Sequence, residues 1–230
     1  MPSLALPQSS RSHVRAALAV LVVWFAAALS AGLAGLFAPR AQVRPPVELG
    51  LAALGPVLVF LVALATAPAL RRFVRSLDLK VLTLAQSWRI AGAVFLALWA
   101  AGKLPAGFAL PAGLGDVLVG ITAPLVASRV VPRLPARLPL YLAWTAFGVL
   151  DLIVAVALGI LHSGAGVGGP IGPITTAVMG VVPLSLIPSF FVPLTLILHV
   201  AAAYRSLVRP GTSGSPTRAR VPDRGDAAAV

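Results

Sequence analysis

Six long apolar stretches constrain this chain more than any other feature of its sequence. They cover residues 14–38, 47–70, 82–102, 106–128, 138–161 and 184–206. Each is near the roughly 20 residues that an α-helix needs to cross about 30 Å of hydrocarbon. Because little besides short connections and two tails remains, the sequence predicts an all-α integral membrane bundle of six transmembrane helices, with no separate soluble domain.

The overall composition leads to the same prediction. Of the 230 residues, 59% are apolar and only 10% are charged. A soluble domain has about a quarter of its residues charged. The chain is therefore not expected to be soluble by itself, and its first partner is the lipid bilayer.

The basic residues predict how the helices are oriented. A formal net charge of +12 would ordinarily suggest a nucleic-acid partner. However, the basic residues concentrate at the N-terminus, in alternate connections and at the C-terminus: Arg11, Arg15, Arg71, Arg72, Arg75, Lys80, Arg129, Arg133, Arg137, Arg205 and Arg209. The remaining connections hold only Arg40, Arg44 and Lys103. By the positive-inside rule, both termini are predicted to be cytoplasmic, and no nucleic-acid partner is expected.

The regions outside the stretches complete the predicted organisation. Residues 1–12 and 209–230 are polar and rich in Pro, Gly or Ser, so we expect disordered cytoplasmic tails flanking a transmembrane domain at 13–208. The first stretch is longer than the core of a signal peptide, so we expect it to be retained. The segment 162–183 is a re-entrant segment or a plain loop, and the sequence leaves both open.

Few ionisable residues fall inside the predicted helices. They are accompanied by one amide, and the set is Arg89, Asp116, Asp151, His199 and Gln86. A charge at the centre of a span costs on the order of 3 kcal/mol, so each is expected to face the bundle interior and to have a partner. At about 1.5 Å per residue, the arginine and histidine lie roughly 10 Å from the cytoplasmic helix ends, and the aspartates roughly 18–20 Å.

Helical spacing predicts which neighbours share a face with these residues. Asp116 aligns with the small side of its helix, formed by Ala112, Gly113, Gly120 and Pro124. Arg89 aligns with Gln86 and Ala93.

Two short segments of the fourth and fifth stretches resemble each other. Gly113–Val119 and Gly148–Val154 share the pattern Gly-x-x-Asp-apolar-apolar-Val in helices predicted to run in opposite directions. The pattern is that of a short inverted repeat, as found in transporters, or of a chance match in an apolar chain.

Charge counting identifies a candidate proton site. A single arginine balances one carboxylate, and two carboxylates at similar depth do not both stay ionised without a second cation. Either His199 is protonated or one of Asp116 and Asp151 holds a proton. A carboxyl group in that situation suits a proton carrier or a general acid.

No cofactor or metal is expected. The chain contains no cysteine, which removes thiolate ligands and disulfides. His13, His162 and His199 are predicted at different levels of the membrane, so no two of them share a metal or a haem. No residue is assigned as catalytic.

Three segments carry a resemblance to known proteins. They are QSWRIAG at 86–92, Leu104-Pro105 with FALPAGLGD at 108–116, and IPSFFVP at 187–193 followed by His199. These segments resemble a group of small multi-pass bacterial inner-membrane proteins of uncharacterised function. The resemblance covers the third to sixth helices, implies a shared fold in a bacterial cytoplasmic membrane, and supplies no activity.

Three functional hypotheses follow from the intramembrane residues. The first is proton- or cation-coupled movement of a small solute, with Asp116 and Asp151 as binding sites, Arg89 as counter-charge and His199 as a relay. The second is a membrane-embedded enzyme acting on a lipid or isoprenoid, in which an aspartate is the general acid. The third is a structural subunit or scaffold whose polar residues only hold helices together.

Overall fold

In a computed structural model, residues 8–38, 47–164 and 172–208 are described, and they are helical with no β-strand among them. The α-helices are α1 Gln8–Leu33, α2 Val47–Thr66, α3 Pro68–Ser76, α4 Leu79–Leu84, α5 Ala93–Ala100, α6 Ala106–Leu125, α7 Leu134–Leu161 and α8 Val192–Leu207. The predicted tail at 209–230 lies outside the described residues, as do residues 1–7 of the other tail. Residues 8–12, predicted as tail, are the first residues of α1.

Among the described residues, five helical segments are long and apolar enough to cross a membrane. They are Val14–Leu33, Val47–Thr66, Leu79–Ala100, Ala106–Leu161 and Ile187–Leu207. The fourth contains 56 residues and folds back on itself, because its two helices, α6 and α7, pack against each other. The all-α fold with apolar helices of membrane-spanning length is thus confirmed for the described residues, and separating α6 from α7 turns these five long segments into the six expected.

The second predicted span is shorter than expected. It was predicted at 47–70, but α2 ends at Thr66, and Pro68 begins the separate helix α3. Proline has no backbone N–H and is favoured in the first turn of a helix, so it ends one helix and begins the next. A smaller irregularity occurs in α7, where Arg137 has the non-helical angles φ −114° and ψ 16°, two residues before Pro139.

The third span has a tightened centre. It begins at Leu79, after Asp78 has capped the helix by accepting from the N–H groups of Lys80 and Val81. Between α4 and α5, residues Ala85–Gly92 form a 3-10 helix, which has three residues per turn. Apart from Leu82 in its first turn, the buried residues of the span recur at this period of three: Thr83, Gln86, Arg89, Gly92 and Phe95. Gly92 therefore shares the face of Arg89 in place of the predicted Ala93, which is exposed.

The last span also departs from a regular α-helix. Residues Ile187–Phe191 form a π-helix before α8, and Pro188 and Pro193 lie at the two junctions. In the preceding segment, Thr176–Gly180 form one 3-10 turn. Thr176 holds this turn to the end of α7 by donating from Oγ1 to the carbonyl of Gly159 at 2.6 Å.

Two apolar clusters fill the two ends of the bundle. The end that carries Arg72, Arg75, Arg129 and Arg133 is called here the basic end. Its cluster contains Leu64, Val74, Leu82, Val126, Val130, Tyr141, Ala201 and Ala202. The cluster at the opposite end contains Phe95, Leu104, Phe108, Ala109, Ala112 and Met179. Arg89 lies between them, six residues after Thr83 and six before Phe95 in the buried stripe of the third span.

Candidate functional site

Arg89 is the centre of a polar cluster inside the bundle. Its side chain is 1% exposed, and its guanidinium reaches two other helices. Nε donates to Oδ1 of Asp116 on α6 at 2.6 Å, and Nη2 donates to Oδ2 of Asp151 on α7. Nη1 donates to the carbonyl of Gly148 on α7 at 3.1 Å. The two Gly-x-x-Asp segments therefore hold one guanidinium between them.

His199 on α8 completes the cluster. Its Nε2 lies 3.2 Å from Nη1 of Arg89. A guanidinium only donates hydrogen bonds, so Nε2 is the acceptor and the imidazole is neutral with its hydrogen on Nδ1. Of the two ways to balance the charges, this geometry favours a proton on one of the aspartates over a protonated His199.

The charged side chains of the cluster are buried to different degrees. The side chains of Asp116 and Asp151 are 16% and 9% exposed, whereas that of Arg89 is 1% exposed. With both carboxylates ionised the cluster carries a net charge of −1, and one added proton makes it neutral. The carboxylates therefore form the less enclosed side of the cluster.

Three glycines make room for the charged side chains. A Cβ atom at Gly92 would lie 2.6 Å from Oδ2 of Asp116, and one at Gly115 would overlap the carboxylate of Asp151. At Gly148, a Cβ would lie 2.5 Å from Nε2 of His199. Gly92 and Gly115 were not predicted as site residues. Gly92 could have been found only from the three-residue period of the third span, since an α-helical period selects Ala93.

Small residues also bring α6 against the third span. A Cβ at Gly120 would lie 2.5 Å from the backbone nitrogen of Ile90, which is closer than real Cβ atoms approach. Ala112, Gly113 and Gly120 are buried, as predicted for the face of Asp116, whereas Pro124 is exposed. The backbone contact fixes the position of α6 relative to the segment that carries Arg89.

Gln86 lies on the same face of the third span but outside the hydrogen-bond network. Its side chain is 1% exposed, and neither Oε1 nor Nε2 has a hydrogen-bond partner among the described residues. The structure thus brings Arg89, Asp116, Asp151 and His199 together, and places Gln86 one 3-10 turn away from them on the side of the basic end.

The chain belongs to a family of unknown function. A family model described as a domain of unknown function, DUF8737, matches residues 46–207, which is more than half of the chain. The match includes α2 to α8 and every residue of the polar cluster, while α1 precedes it. No curated protein matches the chain, and no solved structure does.

Proposed function

We propose that this member of the DUF8737 family moves a small solute across a membrane in a proton-coupled cycle. Asp116 and Asp151 are the proton-binding pair, and Arg89 is their counter-charge. The observation that carries the proposal is the sharing of one buried guanidinium by two carboxylates from different helices. Such a cluster has a place for one proton, which a balanced ion pair lacks.

Proton binding would change how strongly two helices hold the arginine. A hydrogen bond to a charged group contributes about 1.5–3 kcal/mol, against about 0.5–1.5 kcal/mol for a neutral pair. When Asp151 takes the proton, α7 keeps Arg89 through the carbonyl of Gly148 and a weakened carboxyl contact, while Asp116 keeps its full ion pair. A change of roughly 1–2 kcal/mol is enough to shift a two-state equilibrium about 5- to 30-fold. The cycle uses this shift to alternate between conformations open to opposite sides.

We further propose that the six long helices cross a bacterial cytoplasmic membrane with the basic end and both termini in the cytoplasm. The distribution of charge supports this orientation. Arg72, Arg75, Arg129 and Arg133 belong to the basic end, and Nη2 of Arg75 donates to Oη of Tyr204 near the end of α8. Lys103 lies in the connection at the opposite end. The positive-inside rule places the basic end in the cytoplasm.

Cysteine labelling tests the orientation, and the absence of native cysteine makes the readout clean. Arg72→Cys and Lys103→Cys replace exposed residues at the two ends. In intact bacterial cells, a membrane-impermeant maleimide is expected to label Lys103→Cys alone, and both variants after lysis. Labelling of Arg72→Cys in intact cells would reverse the proposed orientation.

The proton-binding pair is tested on the purified protein and in liposomes. Infrared difference spectra between acidic and alkaline samples are expected to contain a protonated-carboxyl band that Asp116→Asn or Asp151→Asn removes or shifts. In liposomes with a trapped pH dye, potassium and valinomycin, to which small solutes are added one at a time, the same variants are expected to lose the solute-dependent proton flux of the wild type. Asp78→Asn is the matched control, because Asp78 caps α4 outside the cluster and asparagine caps equally well.

Unchanged spectra and fluxes in both aspartate variants would refute the proposal and favour a scaffold. A membrane-embedded enzyme would instead need an apolar cavity leading from the aspartates to the bilayer. The apolar groove between α1 and α2 is lined by Trp24, Ala28, Phe37, Leu51 and Ser189 among others, and by neither aspartate. That groove therefore does not serve as such a cavity, and the observation that supports proton-coupled transport is the guanidinium shared by two carboxylates.

A further inference from the structure

Two stripes of buried residues face each other between the basic end and Arg89. One runs from Thr83 to Arg89 on the third span, and the other runs from Tyr141 to Gly148 on α7. At the basic end, Oγ1 of Thr83 and Oη of Tyr141 are 3.0 Å apart and buried. At the other end of the stripes, Arg89 donates to the carbonyl of Gly148. The six residues from Thr83 to Arg89 rise about 11 Å, given about 2.0 Å per residue in the 3-10 part and 1.5 Å elsewhere. The seven residues from Tyr141 to Gly148 also rise about 11 Å, so the two stripes stay in register.

The middle positions of these stripes are Gln86 and Thr145. Each lies about 6 Å from the Thr83–Tyr141 contact by the same rises. Both side chains are buried, and Oε1 and Nε2 of Gln86 have no hydrogen-bond partner in the part of the chain that the structure describes. Oγ1 of Thr145 lies near the hydroxyl of Tyr141, one turn earlier in α7, but forms no hydrogen bond of regular geometry there. They do not bond to each other, in contrast to the pairs above and below them.

His199 adds a third unsatisfied group next to this level. Its Nε2 accepts from Arg89, so Nδ1 carries the hydrogen and needs an acceptor. Nδ1 is buried without a partner within the described residues. The imidazole ring also contacts Trp144, the neighbour of Thr145, with 5.6 Å between ring centroids. An unpaired polar group in an apolar interior costs about 1–3 kcal/mol, so several together indicate a missing binding partner.

We propose that Gln86, Thr145 and His199 bind ordered water inside the bundle, and that this water links the Arg89 cluster to Thr83 and Tyr141 at the basic end. The groups supply two donors, an acceptor and a hydroxyl that does both, which matches a buried water making about three hydrogen bonds. The role of this water as a proton route rests on the proposed function. The presence of the water and its delivery of protons are therefore tested separately.

Hydration is tested on the wild-type protein by X-ray radiolytic footprinting, in which bound water generates hydroxyl radicals beside its neighbours. Tyr141 and His199 are fully buried, and Phe95 and Phe108 are similarly buried in the apolar cluster of the opposite end. We expect oxidation of Tyr141 and His199 well above that of the two phenylalanines. If all four residues are oxidised at the same low rate, the proposed water is absent, whatever proton flux the variants show.

Proton delivery is tested with Gln86→Leu and Thr145→Val in the liposome assay. Each substitution removes a water ligand while keeping the approximate volume. We expect proton flux to fall by about tenfold, which corresponds to roughly 1.4 kcal/mol in the barrier. The matched control is Thr195→Val, because the hydroxyl of Thr195 already donates to the carbonyl of Phe191 at 2.8 Å on the same buried helix as His199. Its flux is expected to equal that of the wild type.

The outcomes separate this inference from the proposed function. Flux that is lost in Asp116→Asn but unchanged in Gln86→Leu and Thr145→Val leaves the proton pair intact and refutes the water route. Flux that survives in Asp116→Asn refutes the proposed function, while footprinting still decides whether the water is bound. An equal loss in Thr195→Val and Thr145→Val would refute the route, because any buried threonine would then have the same effect.

Discussion

Gly148→Ala is the substitution for which the geometry of the cluster makes the sharpest prediction. A Cβ at this position would lie 2.5 Å from Nε2 and 2.6 Å from Cε1 of His199, and 3.2 Å from Nη1 of Arg89. The first two distances are below the 3.0 Å that real Cβ atoms keep. His199 is fully buried and packs against Trp144, so it has little room to move away.

The magnitude follows from three opposing contributions. Alanine gains about 1 kcal/mol over glycine in helix propensity. Overpacking a buried site costs about 1–3 kcal/mol, and losing the contact between Arg89 and His199 costs about 1 kcal/mol more. We therefore expect Gly148→Ala to lower the free energy of unfolding by roughly 1–3 kcal/mol.

Gly159→Ala provides the matched control in the same helix. Its Cβ would lie 3.6 Å from Cε2 of Phe108, an ordinary van der Waals contact. Only the propensity contribution remains, so this variant is expected to gain up to about 1 kcal/mol. Reversible unfolding in mixed micelles with increasing sodium dodecyl sulfate, followed by tryptophan fluorescence, measures both variants. If Gly148→Ala is as stable as Gly159→Ala, the close packing of His199 over Gly148 is wrong.

Three further substitutions test other parts of the structure by the same unfolding titration. Arg89→Lys keeps the charge but replaces three separated nitrogens with one, so we expect the free energy of unfolding to fall by about 3 kcal/mol. A variant as stable as the wild type would contradict the sharing of one guanidinium by two carboxylates. Asp78→Ala removes the cap on the N–H groups of Lys80 and Val81, and a loss of about 1 kcal/mol with unchanged proton flux is expected. Met179→Ala is expected to lower the free energy of unfolding by about 2–5 kcal/mol, because Met179 is buried in the apolar cluster with Phe95 and Phe108. An unchanged stability would show that the 3-10 turn does not pack on this cluster.

The long helices could be predicted from the sequence because the hydropathy that identifies them is a property of whole segments. Around 20 consecutive apolar residues identify a membrane-length helix whatever its local geometry. The ends were less predictable, since they depend on single residues. Pro68 ended α2 within an apolar run, and the cap at Asp78 extended the third helix beyond its apolar part.

The members of the polar cluster could also be predicted, because a charge in an apolar helix has few alternatives to an interior partner. Their exact contacts could not. The spacing of Arg89 and Gln86 fits both an α-helix and a 3-10 helix, and only the second places Gly92 on their face. The neutral state of His199 follows from which of its nitrogens faces Arg89, and that depends on how α8 packs.

The second carboxylate is the feature on which the proposed proton binding depends. To fix the register of the third span against α6, the bond between Arg89 and Asp116 and the backbone contact at Gly120 are sufficient. Asp151 adds a buried negative charge, and its carboxylate occupies space that exists only because residue 115 is glycine. In a static bundle the carboxylate would still give Nη2 of Arg89 an acceptor, but with Asp116 also ionised it leaves the cluster with a net charge of −1 in the interior, at a desolvation cost. The proton binding proposed here would remove that net charge, because one added proton makes the cluster neutral.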